Sequence, residues 1–161
     1  MEYQQTDIEG VYIIRPRVFD DSRGYFFEAF KQQEFEEHIG KIAFMQDNES
    51  KSSYGVLRGL HYQKGNMSQA KLVRVIKGRV LDVAVDIRKS SPTFGRHVMV
   101  ELSDEAIFTY KVDNAYAPES EAGIRFDDPS LGIPWPLGKN DIQTSEKDTR
   151  APLLQDAELF E

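Results

Sequence analysis

The chain contains no cysteine, which excludes a disulfide framework or a thiolate metal site and suits a reducing compartment. It has no apolar run near the ~18 residues a membrane helix needs and no basic-then-apolar leader, so neither spanning nor secretion is expected. A cytoplasmic setting is the expectation. Positive charge is also short: 20 Lys and Arg stand against 27 Asp and Glu, for a net charge of -7. That leaves no dense basic stripe for nucleic acid, and basic residues must act locally. Histidine is scarce, with His38, His61 and His97 far apart, so a transition-metal site is not expected. No low-complexity linker divides the 161 residues, and residues 1–161 read as one domain long enough for a sizeable core.

What the chain does have is alternation and β-branched residues. Residues 11–14, 71–76, 80–87, 97–102 and 106–112 read as strands, and Lys77-Gly78 sits between two of them as a hairpin turn would. The early helix candidate is 32–39, where Phe35 and Ile39 are four apart and Gly40 follows as a stop signal. Turn residues crowd the stretch from Asp127 to Pro136, and irregular chain ending in a C-terminal tail is expected there. The class is all-β, a sandwich or barrel, with a jelly roll among the standard solutions.

The chemistry concentrates in Gly55-Val56-Leu57-Arg58-Gly59-Leu60-His61-Tyr62-Gln63, which sets a cation and an imidazole on an otherwise apolar strand. A histidine is the natural proton acceptor near neutral pH, and an arginine beside it suggests an anionic substrate. Taken alone, His61 is more simply a hydrogen-bonded core histidine. Arg58 and His61, three apart, point to opposite faces of a regular strand. If both serve one site, Gly59 must mark an irregularity, so residues 58–61 are expected to break the strand.

Several separated motifs occur in order. Val56-Leu57-Arg58-Gly59-Leu60-His61-Tyr62-Gln63 is followed by Ala70-Lys71-Leu72-Val73-Arg74-Val75, Asp82-Val83-Ala84-Val85-Asp86, Ser91-Pro92-Thr93-Phe94-Gly95 and Ser145-Glu146-Lys147-Asp148. Together they resemble the dTDP-4-dehydrorhamnose 3,5-epimerase family nearly end to end, and several motifs in one order are far more specific than any one of them. The resemblance implies a cupin-type jelly roll with short peripheral helices, working as a homodimer without metal or other cofactor. It also implies conversion of dTDP-4-dehydro-6-deoxy-D-glucose to dTDP-4-dehydro-L-rhamnose. Many cupins hold a metal through His-x-His; here the matching stretch is His61-Tyr62-Gln63.

Inverting C3 and C5 beside a C4 ketone requires a base, a cation for the enolate oxygen and an acid on the opposite face. By resemblance His61 is the base, Asp148 orients its ring, Lys71 is the cation and Tyr110 is the acid. The plain alternative for Tyr110 is cross-strand packing. The resemblance assigns nucleotide contacts to Arg23 and Glu28 in Asp21-Ser22-Arg23-Gly24-Tyr25-Phe26-Phe27-Glu28, to Gln46 and Asn48, and to Arg58, as guanidinium suits diphosphate. Glu121 and Lys147 fall on binding positions too, with a solvated surface role as their alternative. Phe26 and Tyr116 are candidates to pack on thymine or sugar, or else belong to core or dimer interface.

One departure stands out. The family carries about twenty further residues after the strand matching 98–102, including a second active-site histidine; here Leu102-Ser103-Asp104-Glu105 leads straight to the strand of Tyr110. Loss of two antiparallel strands preserves chain direction, so Ser103-Asp104-Glu105 is expected to close a new hairpin over a thinner core. A single-carbon epimerase or 3,4-ketoisomerase on the same substrate class shares the first chemical step. A binding-only cupin and a purely structural β domain are the non-enzymatic alternatives.

Overall fold

The computed structural model describes all 161 residues, with the side chains of residues 103–106 outside the description. The chain divides into two compact units, Met1–Ala43 and Phe44–Glu161.

In the N-terminal unit, β1 (Glu2–Gln5) pairs antiparallel with β2 (Tyr12–Arg15), and β3 (Phe19–Asp21) with β4 (Gly24–Phe26). The β3–β4 reversal turns on Gly24, whose φ of 130° is a left-handed value that favours glycine. Helix α1 (Gln32–His38) buries Phe35, and Gly40 at φ 124° stops it as the sequence predicts. The helix ends with His38 stacked on Tyr3, ring centroids 4.3 Å apart.

The C-terminal unit is built on β5 (Gln46–Lys51), β6 (His61–Gln63), β7 (Lys71–Val85), β8 (His97–Val112) and β9 (Glu121–Gly123). The pairings between these strands are antiparallel: one sheet has the order β5-β8-β7, and β6 pairs β9. A short helix, α2 (Glu146–Thr149), follows near the C-terminus, its backbone N–H at Asp148 capped by the Ser145 hydroxyl. Strand β5 escapes the sequence reading because its sequence, Gln-Asp-Asn-Glu-Ser-Lys, has no apolar alternation; its inner residues face a polar pocket instead of a core.

Two expected turns do not form. Strand β7 runs unbroken through Lys77 and Gly78, so that dipeptide is a bulge and not a hairpin: the register to β8 shifts between Val75 and Arg79, and Gly78 takes a φ of 103°. A glycine after a lysine suits either geometry locally, and the long partner strand decides. Strand β8 likewise continues from His97 to Val112, so no hairpin closes at residues 103–105. The strand segments on either side of residues 103–105 run end to end, and the β7 register shifts opposite them. Of the fifteen residues of β7 only Gly78 is buried, so the inner face of this long pair is incompletely covered.

The densest packing lies elsewhere. Ile124, Leu131 and Leu154 form the buried cluster, with Leu60, Tyr62, Val85 and Ile87 against it. Each such side chain contributes about 1.5–3 kcal/mol by leaving water. The turn-rich region after Pro118 is therefore irregular as expected, but it is core and not tail. Asp128, 4% exposed, holds it by accepting from the Leu154 N–H at 2.6 Å and from the Ser130 N–H and hydroxyl at 2.8 and 2.7 Å.

Candidate active site

Strand register assembles the site from two walls. Across the larger sheet Gln46 faces Val112, which faces Lys71, and Asn48 faces Tyr110, which faces Val73. Residues directly opposite share a face, so Gln46, Asn48, Tyr110 and Lys71 project together. On the other wall His61 is opposite Gly123 and Gln63 is opposite Glu121. Between the walls lies a pocket of about 330 Å³ lined by Gln46, Asn48, His61, Lys71, Tyr110 and Tyr116, with Tyr62, Gln63, Gln69 and Glu121 completing it.

Strand β6 starts only at His61, after a stretch in which Gly59 takes a φ of 137°. The irregularity expected at 58–61 is present, and it sets His61 and Gln63 on the pocket face with Tyr62 turned to the core. His61 Nε2 lies 2.6 Å from Oδ1 of Asp148, whose side chain is 4% exposed against 35% for the histidine. Burial alone would raise the Asp148 pKa. The bond from His61, its charge, the Ser145 hydroxyl and the Gly59 N–H outweigh that and lower it. An ionised Asp148 only accepts, so Nε2 carries the proton and the Nδ1 lone pair is left for chemistry. Thr144 Oγ1 donates to the second carboxylate oxygen at 3.4 Å.

Two residues that sequence reasoning passed over support this pair. Gln63, 4% exposed, donates to the carbonyls of Met67 and Ala115 at 2.7 and 3.1 Å and accepts from the Ala117 N–H at 2.7 Å. Its amide is committed to the backbone that carries Tyr116. Gly123 lies behind the histidine: a Cβ there would stand 2.8 Å from the Leu60 carbonyl oxygen and 3.6 Å from His61 Cδ2. Gly123→Ala is therefore expected to push on the segment holding His61 and lower kcat by about tenfold or more, with dTDP affinity nearly unchanged. Kinetics alongside calorimetric dTDP titration would check this, and an unaltered kcat would refute it.

Glu121 is not a solvated surface residue. Its side chain is 14% exposed and ion-paired with Lys147, and it accepts from the Tyr116 hydroxyl at 2.7 Å. Burial would raise its pKa, but the bonds from Lys147 and Tyr116 bring it down. Lys71 shows the opposite balance: loss of water at the ammonium lowers its pKa, against the charges of Asp82 and Glu121. Arg58 is exposed, its Nε donating to Ser52 at 3.2 Å. Arg23, Phe26 and Glu28 belong to the N-terminal unit, on and just after the β3–β4 hairpin. Arg23 is 88% exposed and forks onto Asp21; Phe26 is 67% exposed.

The model of the dTDP-4-dehydrorhamnose 3,5-epimerase family matches residues 5–106 and 100–156. The chain belongs to this family. It is 48% identical to the dTDP-4-dehydrorhamnose 3,5-epimerase of Salmonella typhimurium, over 98% of this chain and 97% of that one. Among solved structures it is similar to the Elizabethkingia anophelis dTDP-4-dehydrorhamnose 3,5-epimerase, with a TM-score of 0.91, 45% identity and 97% of each chain covered. A Legionella pneumophila dTDP-6-deoxy-D-glucose-3,5-epimerase in complex with dTDP-4-keto-L-rhamnose matches with a TM-score of 0.89 and 44% identity, over 96% of this chain and 93% of that one. The fold is accordingly the cupin-type jelly roll of the family. The family match breaks into two stretches overlapping at 100–106, and the Salmonella alignment spans 179 positions against 161 residues. The first places an interruption of the family pattern at residues 100–106, and the second shows that the alignment carries gap positions in this chain.

Proposed function

We propose that this chain performs its family's reaction, 3,5-epimerisation of dTDP-4-dehydro-6-deoxy-D-glucose to dTDP-4-dehydro-L-rhamnose for dTDP-L-rhamnose biosynthesis. The observation that carries the reading is the His61–Asp148 pair at 2.6 Å, with the histidine lining a pocket that also holds Lys71 and Tyr110. His61 Nδ1 takes the proton from the carbon beside the C4 ketone, and Asp148 stabilises the resulting imidazolium. Lys71 faces the developing enolate oxygen and, among the described residues, is the one Lys or Arg lining the pocket. Tyr110 returns a proton from the other face, and no cofactor is required.

Gln46, Asn48, Tyr116 and the Glu121–Lys147 pair are the proposed contacts to the nucleotide and sugar, with Arg58 at the diphosphate. Arg23, Phe26 and Glu28 add to these contacts in a homodimer, in which the exposed rings of Tyr25 and Phe26, 65% and 67% accessible, are apolar surface for a second copy to cover. The two units of the chain act as one functional domain under this proposal, in the cytoplasm.

Proton NMR in deuterated water, following C3 and C5 of dTDP-4-dehydro-6-deoxy-D-glucose separately, tests the reading. Exchange at both carbons supports it. Exchange at one carbon makes the protein a single-carbon epimerase, and dTDP binding without exchange makes it a binding protein.

Tyr110→Phe separates the two half-reactions. Proton removal needs His61 and not the phenol, so solvent exchange is expected to persist within about tenfold while epimerised product falls about a hundredfold. Unchanged product formation would remove Tyr110 from the acid role.

A further inference from the structure

Two segments outside the strand ladders meet at the edge of the pocket: the turn Gly65–Met67 with the residues leading to Lys71, and residues 113–117 after β8. Side chains tie them together. Asn114 Nδ2 donates to the carbonyls of Asn66 and Ser68 at 3.0 and 3.1 Å, and Gln69 Nε2 to the Asn114 carbonyl at 2.7 Å. The Ala70 N–H donates to Asp113 Oδ1 at 2.8 Å. At the centre is Gln63, 4% exposed. Its Nε2 reaches the Met67 carbonyl on one side and the Ala115 carbonyl on the other, while its Oε1 takes the Ala117 N–H.

These partners fix the orientation of the Gln63 amide. Turned over, it would set its oxygen against two carbonyls and its NH2 group against an N–H, and all three contacts would become repulsive. A neutral amide donates twice and accepts once at this reach; an ionised carboxylate donates nothing. The grip also has a particular target. The Ala115 carbonyl and the Ala117 N–H stand on either side of Tyr116, so Gln63 pairs with the backbone around that residue as a neighbouring strand would. Yet the Tyr116 ring is 56% exposed and lines the pocket, its hydroxyl bonded to Glu121. An exposed ring adds little to the core by burial, so a backbone held this firmly beneath it serves the pocket face.

We propose that Gln63 is a positioning residue for nucleotide binding: by clamping the peptide groups on both sides of Tyr116 against the 65–70 segment, it holds the Tyr116 ring ready for dTDP. Affinity is gained because the rim is ordered before the ligand arrives, so binding does not have to fix it. The role in affinity rests on the proposed dTDP site, of which Tyr116 is a contact; the clamp itself does not.

The test is calorimetric titration with dTDP. Gln63→Met keeps the length of the side chain and removes the clamp, and the Kd is expected to rise about tenfold. In a Tyr116→Ala background the same change should add less than about twofold, because Gln63 acts through Tyr116. An unmoved Kd, or a tenfold loss that persists without Tyr116, overturns the proposal. Gln63→Glu adds a pH signature that loss of packing would not give. Its ionised carboxylate faces the Met67 and Ala115 carbonyls, whereas the protonated acid can donate to one of them and accept from Ala117. Its Kd relative to wild type should therefore fall from about tenfold at about pH 8 to within about threefold at about pH 6; a constant ratio counts against the clamp. Should the Gln63 variants not fold, Asn114→Ala loosens the same rim from its exposed side, with a loss of about threefold that must also vanish without Tyr116. An additive loss, or none, overturns the proposal in their place. If the wild-type protein binds no dTDP, the site reading fails, and hydrogen exchange at the Ala117 amide still decides the clamp. Exchange slowed about a hundredfold or more against free peptide supports it, and free-peptide exchange in the folded protein overturns it.

Discussion

His61→Ala is expected to reduce C–H exchange at both carbons by about 10³–10⁴-fold while dTDP still binds. Removing a proton beside a ketone needs a base within hydrogen-bond reach, and among the described pocket residues Glu121 is held by Lys147. Asp148→Asn should be as damaging although it removes no base. An asparagine amide turned toward Nε2 can donate, which favours the tautomer whose proton sits on Nδ1, the nitrogen that must accept; the loss on this account is about 10⁴-fold. Because the two residues act as one unit, the double variant should be little worse than either single one. Exchange rates by NMR under single-turnover conditions would measure all three. A double variant that loses the product of both factors would show that Asp148 acts separately from His61.

Asp86→Asn is expected to be the most destabilising single change outside the pocket. The Asp86 side chain is fully buried. It accepts from Arg88 Nε and Nη2, both at 2.8 Å, and from the hydroxyls of Ser91 and Thr93, both at 2.6 Å. The Arg88 guanidinium, acting against burial and helped by the two hydroxyls and the Arg88 N–H, holds the carboxyl far below the usual carboxylate range. An amide in its place would remove the charge that Arg88 now pairs with and turn an NH2 group toward Arg88 Nη2, itself a donor, at a cost of about 3 kcal/mol. For a chain of this size that lowers Tm by roughly 6–12 °C near neutral pH. A depressed folded pKa contributes stability that is complete above the unfolded value near 4 and is lost as pH falls toward the folded one. The gap between wild type and variant should therefore narrow progressively in acid below about pH 4. Calorimetry from pH 7 to 3 would follow it; a gap that is small at pH 7, or that widens in acid, would contradict this account.

Legibility in the sequence followed from where the relevant partner lies. The break at 58–61 could be read because Arg58, Gly59 and His61 are near neighbours, so parity and one glycine were enough to expect it. Strand β5 could not be read, because Gln46 and Asn48 turn polar side chains toward a polar pocket and the apolar alternation that marks a strand is absent. Asp148, 87 residues from His61, was reachable through the family resemblance and not from local pattern. For Glu121 the sequence left a binding role and a solvated surface role both open, because Tyr116 and Lys147, the groups that hold it, give no local pattern.

By itself, the sequence determined the β class, the family, the place of the gap and the residue types of the chemistry, since these rest on composition, short-range alternation and motif order. Only the tertiary structure decided that Lys77-Gly78 bends one long strand and does not end it. It likewise decided that the turn-rich C-terminal region forms the core around Ile124, Leu131 and Leu154, and that Glu121 pairs with Lys147. The physical reason is common to all three: bulge or hairpin, core or tail, paired or unpaired charge are each locally allowed. What selects among them is burial against, or hydrogen bonding to, a segment distant in the chain, and no local pattern encodes that partner.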